Sequence, residues 1–132
     1  MLKRNKCFFF MLLAFAFPFV CAGCATSGAV TYEQISGAQA KALMDSESGY
    51  IIIDARTQSE YDEGHIPGAI LIPEYEIADR AEKELPDKKQ LILVYCRSGR
   101  RSKIAAEELV KLGYTNVKEF GGIIDWKYEI EK

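Results

Sequence analysis

The run Cys96-Arg97-Ser98-Gly99-Arg100-Arg101-Ser102 combines residue types that could carry nucleophilic sulfur chemistry. The thiolate, not the thiol, attacks electrophiles, so everything depends on what lowers the sulfur's proton affinity. The apolar segment Leu91-Ile92-Leu93-Val94-Tyr95 precedes the run. A pattern with Ile104, Ala105, Leu109 and Leu112 on one predicted helical face follows it. A cysteine held between a strand end and a helix start meets free backbone N–H groups and the positive end of the helix dipole. Both favour the thiolate. Arg97, Arg100 and Arg101 add positive charge and suit an anionic substrate, and Gly99 lets a short loop turn without a Cβ clash. Asp54 and Arg56 fall at another predicted strand end, where charged residues commonly fix loops. His65 is the only histidine, so a Cys–His nucleophile pair is formally open. A metal site would need several Cys or His ligands together, and none is expected.

The elements that must position these residues alternate along the chain. Residues 30–35 predict a short edge strand, and Ser36 caps a helix reaching about Ser46, with Ala38, Ala42 and Leu43 inward. Tyr50-Ile51-Ile52-Ile53-Asp54 predicts a strand apolar on both faces, as in a covered parallel sheet. Thr57 with Glu60 forms a capping-box pattern for a short helix ending near Gly64. A brief strand at residues 69–72, a helix at 76–85 stopped by Pro86, and the strand at 91–95 follow. A helix at 102–112 ends at Gly113, residues 117–120 form a last strand, and Gly121-Gly122 precedes a terminal helix containing Trp126. The alternation implies an α/β sandwich with a mostly parallel sheet. In such sheets ligands bind beyond the carboxyl ends of the strands, where Cys96 falls.

The N-terminus reads as an address. Lys3, Arg4 and Lys6 precede an apolar stretch at residues 7–20, and the small residues Ala22, Gly23 and Ala25 come next. This is the order of a secretory signal, and the stretch is short against the ~20 residues of a membrane span. Cys21-Ala22-Gly23-Cys24 resembles a bacterial lipoprotein processing site, with Cys24 as the lipidated mature N-terminus and Cys21 where leucine is usual. The expectation is a signal at 1–24, a tether at 25–29 and one domain at 30–132, exported and anchored to a membrane by the lipid. Ordinary cleavage nearby, for example after Ala25, would instead give a soluble periplasmic or secreted product. Of the four cysteines, Cys7 and Cys21 leave with the signal, so Cys96 has no intramolecular partner in the folded part. The formal charge of −2 falls to about −5 once the basic leader is removed. Nucleic acid is therefore not an expected partner, and the basic loop is a local exception.

Four motifs in order resemble the rhodanese family over about residues 30–132. They are Ile53-Asp54-Ala55-Arg56 with Glu60-Tyr61, Gly64-His65-Ile66-Pro67-Gly68-Ala69, the Cys96 loop, and Gly121-Gly122 with Trp126. The resemblance implies a rhodanese-like three-layer sandwich, a mostly parallel central sheet flanked by helices. It implies a sulfurtransferase with Cys96 as nucleophile and persulfide carrier, needing no cofactor. A small anionic sulfur donor would load it, and cyanide, a small thiol or a protein thiol would unload it. The family's sulfurtransferases typically use a six-residue loop, here 96–101. The cell-cycle phosphatases of the same fold use Cys-x5-Arg, but the sixth residue after Cys96 is Ser102. The resemblance further gives Arg101 an inward role and makes the His65 segment structural with its imidazole on backbone; Trp126 itself reads as core packing, with the pocket rim beside Gly121-Gly122 as the alternative. Two other readings share these residues: a docking module without turnover, and an exported sulfur or redox relay.

Overall fold

The computed structural model describes Ala29 and residues 31–132; the predicted signal, its tether through Gly28 and Cys24 lie outside the described residues. The element order is β1 (Glu33–Gln34), α1 (Gly37–Ser46), β2 (Ile51–Asp54), α2 (Gln58–Glu63), β3 (Ile70–Leu71), α3 (Ile77–Glu84), β4 (Ile92–Cys96), α4 (Arg100–Lys111) and β5 (Val117–Gly122). The strands form one sheet in the order β1-β5-β4-β2-β3, and every pairing is parallel. The expected α/β sandwich with a parallel sheet and flanking helices is the observed architecture.

Side-chain alternation along β4 divides the core. Ile92, Val94 and Cys96 face the layer of α3 and α4, where Ile77, Ala81, Ala105, Ala106 and Leu109 pack. Leu93 and Tyr95 face the opposite layer, with Ala40 of α1, Ile66 and Phe120. All five β4 residues are buried, as the central position in a covered parallel sheet requires. Each large apolar side chain so buried contributes roughly 1.5–3 kcal/mol before entropy is counted. Ser36 caps α1 as expected, and the structure adds Gln39 to complete a capping box there; the expected capping box of Thr57 with Glu60 starts α2.

Several expectations are corrected. In α1 the buried residue is Ala40, with Leu43 half-buried, whereas Ala38 and Ala42 face solvent. Trp126 packs over Gly37, which fixes the rotation of the helix. In α4 Ile104 is exposed and Ala106 is buried in its place. The helix also begins at Arg100, two residues earlier than the expected start at Ser102, because Gly99 acts as its N-cap. The terminal segment is not the expected helix. A 3-10 turn at Ile123–Asp125 leads to an extended Trp126, and Glu131 exchanges two backbone hydrogen bonds of 2.8 Å with His65. Those pairings occupy backbone groups that a helix would need.

Candidate active site

Cys96 ends the central strand on the α4 side of the sheet, and the chain turns at once into Arg97, Ser98 and Gly99. Gly99 has φ of +104°, a conformation that favours glycine. Its N–H donates to Cys96 Sγ at 3.0 Å. The loop residues Arg97, Ser98 and Arg100 are exposed, but the cysteine itself is only 1% exposed. The sulfur thus lies on the floor of the loop rather than on its rim. Burial raises the thiol pKa, yet the Ser102 hydroxyl and the amides of Ser102, Gly99 and Ser98 more than offset it, leaving the pKa below the ordinary thiol value. Accordingly, iodoacetamide labelling of Cys96 should reach half its limiting rate at a lower pH than a free cysteine. A stopped-assay pH series with peptide mapping measures this. A midpoint at or above the free-thiol value would show that the amides do not stabilise the anion.

The neighbouring strand β5 shapes the loop from beside. Val94 pairs with Glu119 and Cys96 with Gly122, so β5 spends one residue more than β4 over this step. Such a bulge re-aims the strand end. Gly122 then lies directly against the loop: a Cβ on it would sit 2.0 Å from the Arg97 carbonyl oxygen and 2.6 Å from Ser98 Cα. Gly122 therefore makes room for the loop, and the Gly121-Gly122 pair does not open a helix.

Arg101 lies within the ring but is committed elsewhere. Its guanidinium donates to Glu60 Oε2 at 2.7 Å and Oε1 at 2.8 Å, which ties α4 to α2. The bond from Arg101 brings the Glu60 pKa down to about 2 despite partial burial, with Thr57 assisting. Arg97 and Arg100 are the exposed cations of the loop.

Asp54 and Arg56 do not approach the sulfur; they form a buried network on the other face. Arg56 Nη2 donates to Asp54 Oδ2 at 2.6 Å and to the Gly64 carbonyl at 2.7 Å. The Tyr95 hydroxyl donates to Asp54 Oδ2 at 2.6 Å and accepts from the Ile66 amide at 3.1 Å. Burial and the adjacent carboxylate raise the Tyr95 pKa, so the phenol keeps its proton. His65 belongs to the same scaffold: its Nδ1 lies 3.0 Å from the Tyr61 carbonyl and its ring stacks on Tyr61 at 3.7 Å. Through Tyr95 the network holds β4 one residue before the nucleophile. Asp54→Ala would leave a buried arginine and a buried phenol without their acceptor, and such losses cost about 3–5 kcal/mol. Urea unfolding should show that drop in stability; a change under ~1 kcal/mol would mean that the network is not holding the fold.

Sequence reasoning placed Ser102 in the loop motif without giving its side chain a role, and missed Glu119 as a part of this site. Ser102 is wholly buried, and its hydroxyl lies 2.6 Å from Glu119 Oε1. Ser102 stands one helical step beyond the loop and was visible; Glu119 arrives from β5, and nothing local in the sequence marks it.

Among the described residues one thiol, Cys96, stands anion-stabilised at the carboxyl end of the central parallel strand, and that arrangement defines an α/β protein of a sulfur-handling class. Comparison with known proteins agrees. A family model, the Rhodanese-like domain, matches residues 36–129, and the chain belongs to that family. It is 42% identical over 73 residues to thiosulfate sulfurtransferase PspE of Escherichia coli, covering 55% of this chain and 70% of PspE. It is 35% identical over 97 residues to thiosulfate sulfurtransferase GlpE of Coxiella burnetii, covering 73% and 88% of the two chains. Among solved structures, an E. coli rhodanese with anions superposes with a TM-score of 0.60 at 38% identity, over 63% of this chain and 98% of that one.

Proposed function

We propose that this rhodanese-type sulfurtransferase carries sulfane sulfur as a persulfide on Cys96. The observation that carries the proposal is the Gly99 N–H aimed at a sulfur whose pKa lies below the ordinary thiol value. In the first step the Cys96 thiolate attacks the outer sulfur of thiosulfate. The new S–S bond forms as the old one breaks, and sulfite leaves with the electron pair. Cys96 then bears a terminal persulfide anion. In the second step an acceptor such as cyanide takes that outer sulfur, thiocyanate departs, and the thiolate returns. This is double-displacement covalent catalysis. The amides of Ser98, Gly99 and Ser102 would hold the anion in both states, as preorganised donors do. Arg97 and Arg100 would receive the dianionic donor, while Arg101 and the Asp54–Arg56 pair keep loop and strand in place. Polysulfides and persulfides fit the same chemistry as donors, and a small thiol or a protein thiol as acceptor.

Intact-mass analysis after thiosulfate treatment tests the first step. A gain of ~32 Da mapped to Cys96, removed by cyanide with thiocyanate formed, is the expected result for such a covalent intermediate. Turnover without that adduct would overturn the persulfide. An adduct that no small acceptor discharges would point to a relay with a protein partner.

We further infer export, with Cys24 as a lipidated N-terminus; the basic, apolar and small-residue order of residues 1–25 supports it. Mass spectrometry of the mature protein from a bacterial host would show a diacylglyceryl cysteine at Cys24. An unmodified N-terminus at or after Ala25 would reject the lipid and keep the export.

A further inference from the structure

Glu119 is a buried carboxylate, 3% exposed, with no part in the chemistry above. It is reached from β5 and sits against the first turn of α4. Its Oε1 accepts from the Ser102 hydroxyl at 2.6 Å and from the Gly121 amide at 2.8 Å, and it lies 3.9 Å from where a Cβ on Gly99 would be. Gly99 and Ser102 are two of the residues whose N–H groups face Cys96 Sγ. Carboxylate and sulfur therefore share one helix end.

Charged neighbours do not neutralise the carboxylate. Cys96 ends the neighbouring β4 on the same face of the sheet as Val94, the residue that Glu119 pairs with. From the loop and α4 come Arg97, Arg100, Arg101 and the exposed Lys103, with Arg101 held by Glu60 of α2. Lys118 precedes it on β5 and pairs with Glu33 of β1 instead. Among the described residues Glu119 makes no ion pair within 4.0 Å. A buried carboxylate without a cationic partner is costly to keep, so its retention beside a nucleophile points to a use.

We propose that Glu119 is a positioning residue for sulfur transfer: it competes with the Cys96 sulfur for the single proton of the Ser102 hydroxyl, pins Gly121 beneath the loop, and sets its negative charge against that of the sulfur. The Ser102 hydroxyl has other acceptors, the Gly99 carbonyl at 3.0 Å and the Gly121 carbonyl at 3.4 Å, but the Glu119 contact is the shortest. The sulfur, whose anion the same hydroxyl helps to hold, therefore does not have that proton to itself. A like charge close by disfavours the thiolate. The consequence is a sulfur less acidic than its amide ring alone would make it. That matters because thiolate nucleophilicity falls as the thiol becomes more acidic, with a Brønsted slope of about 0.4–0.5. Glu119 limits how far the amides can blunt the nucleophile.

The inference rests on Cys96 being the nucleophile, but its test does not require sulfur transfer. The rate of iodoacetamide labelling of Cys96 is followed against pH for the wild-type protein and for Glu119→Gln. Glutamine can keep both hydrogen bonds through its carbonyl oxygen while removing the charge. The expected result is a midpoint lower by ~0.5–1 pH unit and a limiting rate at high pH lower by roughly two-fold. Glu119→Leu provides a second route if the amide fails to fold. It removes the charge and lets Ser102 fall back on the Gly99 carbonyl, and its midpoint should fall as well. A folded Glu119→Gln or Glu119→Leu protein with the wild-type midpoint and limiting rate would overturn the proposal and leave Glu119 a structural residue. If the midpoint shifts while no persulfide ever forms, the positioning role survives and the sulfur-transfer reading fails.

Discussion

Cys96→Ser is expected to take up no sulfur from thiosulfate and to form thiocyanate only at the background rate. The argument is one of charge. A serine hydroxyl stays protonated at neutral pH, and the ring of amides that stabilises a thiolate falls far short of ionising it. Removing the nucleophile from a covalent mechanism usually costs ~10³-fold or more, with what remains coming from binding alone. The fold should survive the change. Oxygen is smaller than sulfur, the site lies at a strand end, and the Gly99 N–H keeps an acceptor in place of Sγ. Far-UV circular dichroism and the unfolding midpoint would establish that, beside intact mass and a thiocyanate assay. Full turnover in a folded Cys96→Ser protein would remove Cys96 from the mechanism altogether.

Gly122→Ala should nearly silence the enzyme without touching a reacting group. The added methyl carbon would meet the Arg97 carbonyl oxygen at 2.0 Å and carbonyl carbon at 2.5 Å. No rotamer relieves this, since a Cβ has none and its neighbours are backbone. Loop and strand must part by about an ångström, and misplacement on that scale can cost ~10² in rate. Forced expansion of a packed region adds about 1–3 kcal/mol of destabilisation. Two readouts should move together: sulfur transfer falls, and the labelling midpoint of Cys96 rises toward the free-thiol value as its amides lose their aim. Gly68→Ala is the matched control. Gly68, unlike the extended Gly122, has positive φ, +78°, but nothing lies within 4 Å of its added carbon, so it should lose some stability and keep its turnover. A Gly122→Ala enzyme with wild-type kcat/KM would mean that the loop does not need its observed seat.

What could be read from the chain beforehand was what short segments determine. Ser36 as a cap and Thr57 with Glu60 as a capping box specify helix starts through bonds spanning three residues, and both formed. The apolar runs at β2 and β4 are too continuous for anything but a covered sheet, and Cys96 followed from where β4 ends. Other features depended on distant partners. The rotation of α1 is set by Trp126, about ninety positions away, so Ala40 rather than Ala38 turned inward. The last residues pair with His65 instead of coiling, because an antiparallel bridge was available there. Arg101 looks like any loop arginine until α2 brings Glu60 beneath it. Tyr95 reads as one more apolar strand residue, yet its hydroxyl joins Asp54 to the Ile66 amide. Pairings across the fold leave no trace in local spacing, and Glu119 is the clearest case.

The depth at which Cys96 lies has a consequence for what the protein can react with. An atom with almost no open surface, at the foot of a narrow collar of peptide groups, selects visitors by girth before it selects them by charge. A thin rod with sulfur at its tip can reach bottom. A bulky disulfide or a thiol recessed in another globular surface is turned away unless offered on a protruding finger. The same collar would shelter the loaded sulfur from stray oxidants between visits.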